Sequence, residues 1–314
     1  MNTTNTQAVE LTAEQKTNNK QQIKKSINWA MLSIFAYAII ATILQMICVA
    51  VFKDMIETTT YGQYLMILIP IHIIACPIAL FIASRRKFDK PEKNKLKFKQ
   101  FVGFVLVMTF FTAIGLVISS VLSNIIDLSA ANEQVSSLTA GENWIMRVLT
   151  VGIVAPIGEE LIFRKLVIDA THKYSEKFAI FFSGLLFGLF HGNFVQFFFT
   201  FLVGMLFAYV YTRTGNILYS IALHMTMNLT TSVITAAVSA TGNAVLVGAW
   251  TLILGLIALV GGVIFFIRLR KIKFVKHPEF AVPTKTIWAS AFGNVFTILF
   301  LAFTILLFVG SLMM

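Results

Sequence analysis

The chain has 314 residues, of which 57% are hydrophobic, 13% aromatic and only 12% charged, with a formal net charge of +11. That balance excludes a soluble globular domain, where about a quarter of residues are charged, and the length exceeds a single membrane anchor. Apolar runs of roughly 17–25 residues fit a hydrocarbon core about 30 Å thick, so the chain reads as an all-α, polytopic transmembrane helical bundle of about eight to nine spans.

Residues 1–28 are polar, rich in Asn, Gln, Thr and Lys, and predict a solvated cytoplasmic tail rather than the brief basic start of a cleaved signal. Residues 29–314 predict the transmembrane domain. Its spans are expected at Trp29–Phe52, Tyr64–Ser84, Phe101–Leu122, Trp144–Thr171, Phe178–His191, Val195–Thr212, Ile217–Ala237, Ala244–Ile267 and Ile287–Leu312. The fifth and sixth are short and predict a tight hairpin. The stretch Ser123–Asn143 between the third and fourth is expected to be a solvated connector.

Lys and Arg alternate between the two sides of this pattern. They cluster before the first span, in "RRKFDKPEKNKLKFK" (Arg85 to Lys99), at Lys173, Lys177 and Arg213, and in "RLRKIKFVK" (Arg268 to Lys276). The opposite loops hold little beyond Lys53 and Arg147. Cytoplasmic loops retain cations, so the amino terminus is expected inside a cell membrane, and nine spans would leave the carboxyl terminus outside. The excess charge is thus read as topological anchoring and contact with membrane lipids, not as a nucleic-acid surface. Cys48 and Cys76 have no metal-like spacing and are read as packing residues; His72 is read as helix glue, and His172 and His277 as solvated.

One stretch resists this scheme. "GEELIFRKL" (Gly158 to Leu166) sets Glu159, Glu160 and Arg164 inside an apolar run. An ionised residue at mid-span costs roughly 2.5–3.5 kcal/mol, against about 0.3–0.6 kcal/mol returned per Leu, Ile, Phe or Val. Such charges persist only when they face protein, a partner charge or a wet cavity. Glu160 and Arg164 are one helical turn apart and predict an ion pair, whereas Glu159 points about 100° away and needs a partner elsewhere. "FGLFHG" puts Phe187 and His191 one turn apart, and "HMTMN" does the same for His224 and Asn228. Gly184, Gly188 and Gly192 form a small-residue ridge for close helix approach.

A carboxylate and an imidazole meeting in a desolvated cavity can hold and deprotonate water, which suits Glu159 with His191. A second imidazole and a carboxamide can donate to an oxyanion, which suits His224 with Asn228. The same set contains a known zinc arrangement, so a divalent metal such as zinc on Glu159, His191 and His224 stays open. No H-E-x-x-H, aspartyl dyad or nucleotide loop occurs, and the "FFSG" around Ser183 is a poor serine site.

"EELIFR" (Glu159 to Arg164), "FGLFH" (Phe187 to His191) and "HMTMN" (His224 to Asn228) resemble, in order, the E-E-x-x-x-R, F-x-x-x-H and H-x-x-x-N motifs of the CPBP family. These are the CaaX-protease and bacteriocin-processing proteins, also called Abi. The resemblance covers roughly Trp144 to Thr235, within a core placed at about 144–237. It implies a CaaX-protease-like core of about eight helices and an intramembrane endopeptidase acting on a peptide or membrane-protein substrate. Glu159 and His191 would activate water, His224 and Asn228 would stabilise the oxyanion, and Glu160, Arg164 and Phe187 would support them. The family is described both as metal-dependent and as a metal-free glutamate protease. Its prokaryotic members are linked to peptide maturation and bacteriocin self-immunity, so a non-enzymatic immunity or partner-binding protein on the same scaffold is the alternative. An ion-coupled transporter is disfavoured, because no repeated half with matching broken helices is visible.

Overall fold

The computed structural model describes residues 11–129, 131–133 and 143–313. Residues 1–10 of the expected tail, and residues 130 and 134–142 of the expected connector, lie outside them. Among the described residues the chain is helical, without strands. The main helices are α1 (Ala13–Thr58), α2 (Gly62–Ser84), α3 (Phe98–Ser123), α4 (residues 144–171), α5 (Glu176–Phe190), α6 (Phe194–Thr214), α7 (Ile217–Ala240), α8 (Ala244–Leu269), α9 (Thr284–Phe292) and α10 (Val295–Met313).

Seven of these are long and apolar enough to cross a membrane: α1, α2, α3, α6, α7, α8 and α10. The chain is therefore a multi-pass membrane protein with a polytopic helical bundle. The expected last span is broken, because Gly293 and Asn294 separate α9 from α10. Lipid-type side chains such as Leu252, Leu259 and Val263 stay exposed on the outside of α8, as a bilayer in place of water requires.

Residues 13–28 of the polar start are helical and mostly exposed. Thr12 and Gln15 form a reciprocal capping box that starts α1. Ile23 and Ile27, one turn apart, are fully buried, while Asn19 donates to the Glu279 carbonyl at 3.0 Å and Ser26 accepts from Arg86 at 3.2 Å. At about 1.5 Å per residue the helix is roughly 70 Å long, over twice a bilayer core, so its polar end extends past the apolar segment. His172 departs from expectation. It is buried, and its Nδ1 donates to the Ile168 carbonyl at 2.8 Å. The basic loops do more than anchor: Glu176 at the start of α5 is buried against Arg213 (2.7 Å) and accepts from the Val275 amide (2.7 Å), tying the ends of α5, α6 and α8 together.

Two helices are wound loosely just where prolines enter. Leu68–Ala75 of α2 is π-helical and runs up to Cys76 and Pro77; Val148–Val154 of α4 is π-helical and runs up to Ala155 and Pro156. A second π segment of α4, Glu160–Leu166, follows after one α turn. Such bulges are rare and concentrate at functional sites. Around α4, Ile162, Phe163, Leu166 and Val167 pack with Tyr37, Phe182, Phe187 and Phe300 in the main core.

Small residues let the other helices close in. A Cβ at Gly184 would lie 2.6 Å from Met205 Cγ, and one at Gly188 would lie 3.0 Å from Phe201 Cβ, so the expected ridge of α5 does seat α6. Gly192 is not part of that ridge. Its φ of 66° is left-handed, and it terminates the helix just past His191.

Candidate active site

α4 carries Glu159 as the last residue of its central α turn and Glu160 as the first of the following π segment. Glu160 points into the protein and is fully buried. Its Oε1 lies 3.3 Å from Arg164 Nε and 2.9 Å from His224 Nδ1, and its Oε2 accepts a hydrogen bond from the Ser220 hydroxyl. The ion pair expected from the i,i+4 spacing is present. The Arg164 guanidinium is equally buried, with its central carbon 3.9 Å above the Phe187 ring and 5.4 Å from the Phe207 ring, a cation–π sandwich in place of water.

Glu159 faces a different neighbourhood, as its 100° offset requires. Its side chain keeps 15% exposure, and its Oε2 lies 3.5 Å from His224 Nε2. His224 therefore stands between the two glutamates, one at each ring nitrogen.

His191 lies one residue beyond α5 as its C-cap. Its Nδ1 donates to the Phe187 carbonyl at 2.9 Å, which holds the proton on Nδ1 and leaves Nε2 as an acceptor. The ring meets Phe187 edge-on at 4.9 Å, and His224 meets the same ring at 5.5 Å. Phe187 is thus the partition shared by both imidazoles and Arg164. Among the described residues His191 makes no hydrogen bond or ion pair to Glu159; the group in contact with Glu159 is His224.

Asn228 has an assignment that follows from Pro156. In the π segment the Ala155 amide bonds the Thr150 carbonyl five residues back. The next amide in that ladder would be that of residue 156, but proline has none, so the Val151 carbonyl loses its donor. Asn228 Nδ2 donates to it at 2.8 Å. The carboxamide still has a second N–H and its oxygen.

Among the described residues no three His, Cys, Asp or Glu side chains gather as metal ligands: Glu159 and His224 meet at 3.5 Å, while His191 donates from Nδ1 to the Phe187 carbonyl and keeps Nε2 free. Ser183 is likewise occupied, donating to the Phe163 carbonyl at 2.7 Å.

Sequence reasoning missed Ser220, although a stripe at i, i+4 and i+8 (Ser220, His224, Asn228) was available as a signal. It missed Phe207, for which the sequence holds no signal, and it assigned His72 and Cys76 no place near the site. A Cβ at Gly158, next to Glu159, would lie 2.7 Å from His72 Nδ1, and Cys76 Sγ lies 3.9 Å from the Gly158 carbonyl.

Residues 141–230, the stretch that carries all three motifs, match the family described as type II CAAX prenyl endopeptidase Rce1-like. The curated protein named "Putative membrane peptidase YdiL", from Bacillus subtilis (strain 168), is 36% identical over 84 residues. That match covers 26% of this chain and 33% of the relative, so the chain aligns with about a third of the relative's length. No solved structure matches the chain. Residues 141–230 are therefore similar to the CAAX prenyl endopeptidases of that family and, over a comparable stretch, to a curated membrane peptidase.

Proposed function

We propose that this protein is an intramembrane endopeptidase that hydrolyses a peptide bond in a peptide or membrane-protein substrate without a metal ion. The observation that carries the reading is the division of labour between the adjacent glutamates. Glu160 is fully buried and consumed by Arg164, Ser220 and His224, while Glu159 keeps 15% exposure and a single long contact of 3.5 Å. A general base needs a free lone pair and room for water, and only Glu159 has both.

In this reading Glu159 takes one proton from a water molecule as its oxygen attacks the scissile carbonyl carbon. The acceptor nitrogen of His191, Nε2, orients that water from beside Phe187. The carbonyl oxygen becomes an oxyanion that receives hydrogen bonds from His224 and from the second N–H of Asn228. Collapse breaks the C–N bond, and the proton held by Glu159 passes to the leaving amine. Arg164 and Glu160 hold His224 in place, which keeps the donors oriented before the reaction begins.

The test is cleavage of a membrane-reconstituted reporter substrate. Glu159→Gln and His191→Ala are expected to abolish cleavage while the protein stays folded, and strong chelators are expected to leave the wild-type rate unchanged. Wild-type rates in Glu159→Gln would remove the proposed base, and loss of activity on chelation, restored by metal, would replace the metal-free mechanism. The second reading is a non-enzymatic immunity protein, favoured by the structural use of Asn228 on Val151. Protection against a peptide toxin that survives Glu159→Gln supports that reading. The positive-inside distribution of Lys and Arg supports a cytoplasmic amino terminus in a cell membrane, which accessibility labelling of α1 tests.

A further inference from the structure

The catalytic reading uses polar groups from α4, α5 and α7. A second set reaches the same point from α1 and α2 and has no role in it. His72 sits in the π segment of α2 and is buried, 7% exposed, yet its Nδ1 has no hydrogen-bond partner. It lies against the backbone of α4 at Gly158, so closely that a Cβ there would approach Nδ1 to 2.7 Å and Cε1 to 3.6 Å. Cys76, one turn later, touches the carbonyl of the same glycine. From α1, Tyr37 is fully buried with an unpartnered hydroxyl, its ring stacked on Phe190 at 5.1 Å.

Helix glue does not account for this. A histidine that glues helices spends its polar atoms on a neighbour, whereas this one turns an unspent nitrogen toward the residue beside Glu159. Buried polar atoms are otherwise almost always paired, and an orphaned imidazole nitrogen packed beside Gly158, with a second orphan on Tyr37, leaves two polar atoms free to hold a small polar species. The absence of a side chain on Gly158 lets the His72 ring lie directly against the backbone of α4.

We propose that His72 is a positioning residue of the site, its Nδ1 and the Tyr37 hydroxyl together ordering the water that lies against Glu159. The proposal rests on the proteolytic reading for the identity of the reaction, but the ordering of water by His72 does not require that cleavage occurs. The second span therefore belongs to the site, although all three family motifs lie after it.

The experiment uses the full chain in lipid nanodiscs. His72→Ala is expected to lower kcat about 10²-fold, the usual loss when a reacting group is misplaced by about an ångström, with KM unchanged. Asparagine places its amide where Nδ1 stood, so His72→Asn is expected to recover most of kcat; glutamine reaches the Nε2 position instead, so His72→Gln is not. Wild-type kcat in His72→Ala, or equal losses in His72→Asn and His72→Gln, overturns the proposal. A second readout needs no cleavage. In histidine-selective 15N spectra, with His72→Asn to assign the signal, Glu159→Gln is expected to shift the His72 ring nitrogens, and an unmoved signal overturns the link. A wild-type chain that cleaves nothing but shows that shift fails as a protease and retains the His72 contact with the cluster.

Discussion

Replacing Glu160 by glutamine removes the charge opposite a guanidinium that has no access to solvent, and the structure sets the size of the effect. Both side chains are fully buried, and Arg164 Nε is 3.3 Å from Glu160 Oε1. At an effective dielectric constant of about 20 the attraction across that distance is roughly 5 kcal/mol. Glutamine removes this attraction and leaves an unpaired buried cation, for which measured losses run about 3–5 kcal/mol. Glu160→Gln is therefore expected to lower the free energy of unfolding by about that amount. Glu159→Gln removes only a 3.5 Å contact to His224 from a partly exposed carboxylate, so its expected loss is about 1 kcal/mol or less. Cleavage follows the opposite order, abolished outright by Glu159→Gln and lowered in Glu160→Gln in step with the folded fraction and the orientation of His224. The assay pairs SDS titration of the protein in mixed micelles, followed by tryptophan fluorescence, with reporter cleavage under folding conditions. Equal destabilisation by the two substitutions, or a stable Glu160→Gln protein, would refute the division between a structural and a reactive glutamate.

Asn228→Ala leaves the Val151 carbonyl unpaired, but in a Pro156→Ala background the new amide can reach it. The double-mutant cycle in SDS unfolding is expected to show a favourable coupling of about 0.5–1.5 kcal/mol, and additivity would remove the proposed exchange of donors. Phe187→Ala takes away the ring that Arg164, His191 and His224 share, so a loss of about 3–5 kcal/mol is expected, smaller for Phe187→Leu, in the same unfolding assay. Gly261→Ala sets a Cβ 1.9 Å from the Leu106 carbonyl and forces α8 away from α3, whereas Gly255→Ala meets nothing within 4 Å. Limited proteolysis is expected to distinguish the first from wild type and not the second.

The membrane class, most span positions and the three polar sites were legible without coordinates, because each depends on neighbours in the chain. Hydropathy over about twenty residues reports partition into lipid, and a spacing of four reports one helical face. The Glu160–Arg164 pair belongs to this local class, and so does the glycine ridge at Gly184 and Gly188. Most of residues 13–28 are exposed, as their polar composition implies, whereas the contacts of Asn19 with Glu279 and of Ser26 with Arg86 join positions far apart in sequence and were not legible.

What only the tertiary structure decided is which polar group meets which. Spacing suggested Glu159 with His191 and His224 with Asn228; the fold instead puts His224 between Glu159 and Glu160, sets His191 beside Phe187, and turns Asn228 to Val151. The cause is physical. A π turn adds a residue to the helical repeat and rotates everything beyond it by about 100° relative to a regular helix, and α4 contains two such segments, on either side of Pro156–Glu159. Local spacing therefore reports that polar residues share a helix face only until the winding changes, and beyond that point the packing of α1, α2, α5 and α7 around α4 determines the contacts.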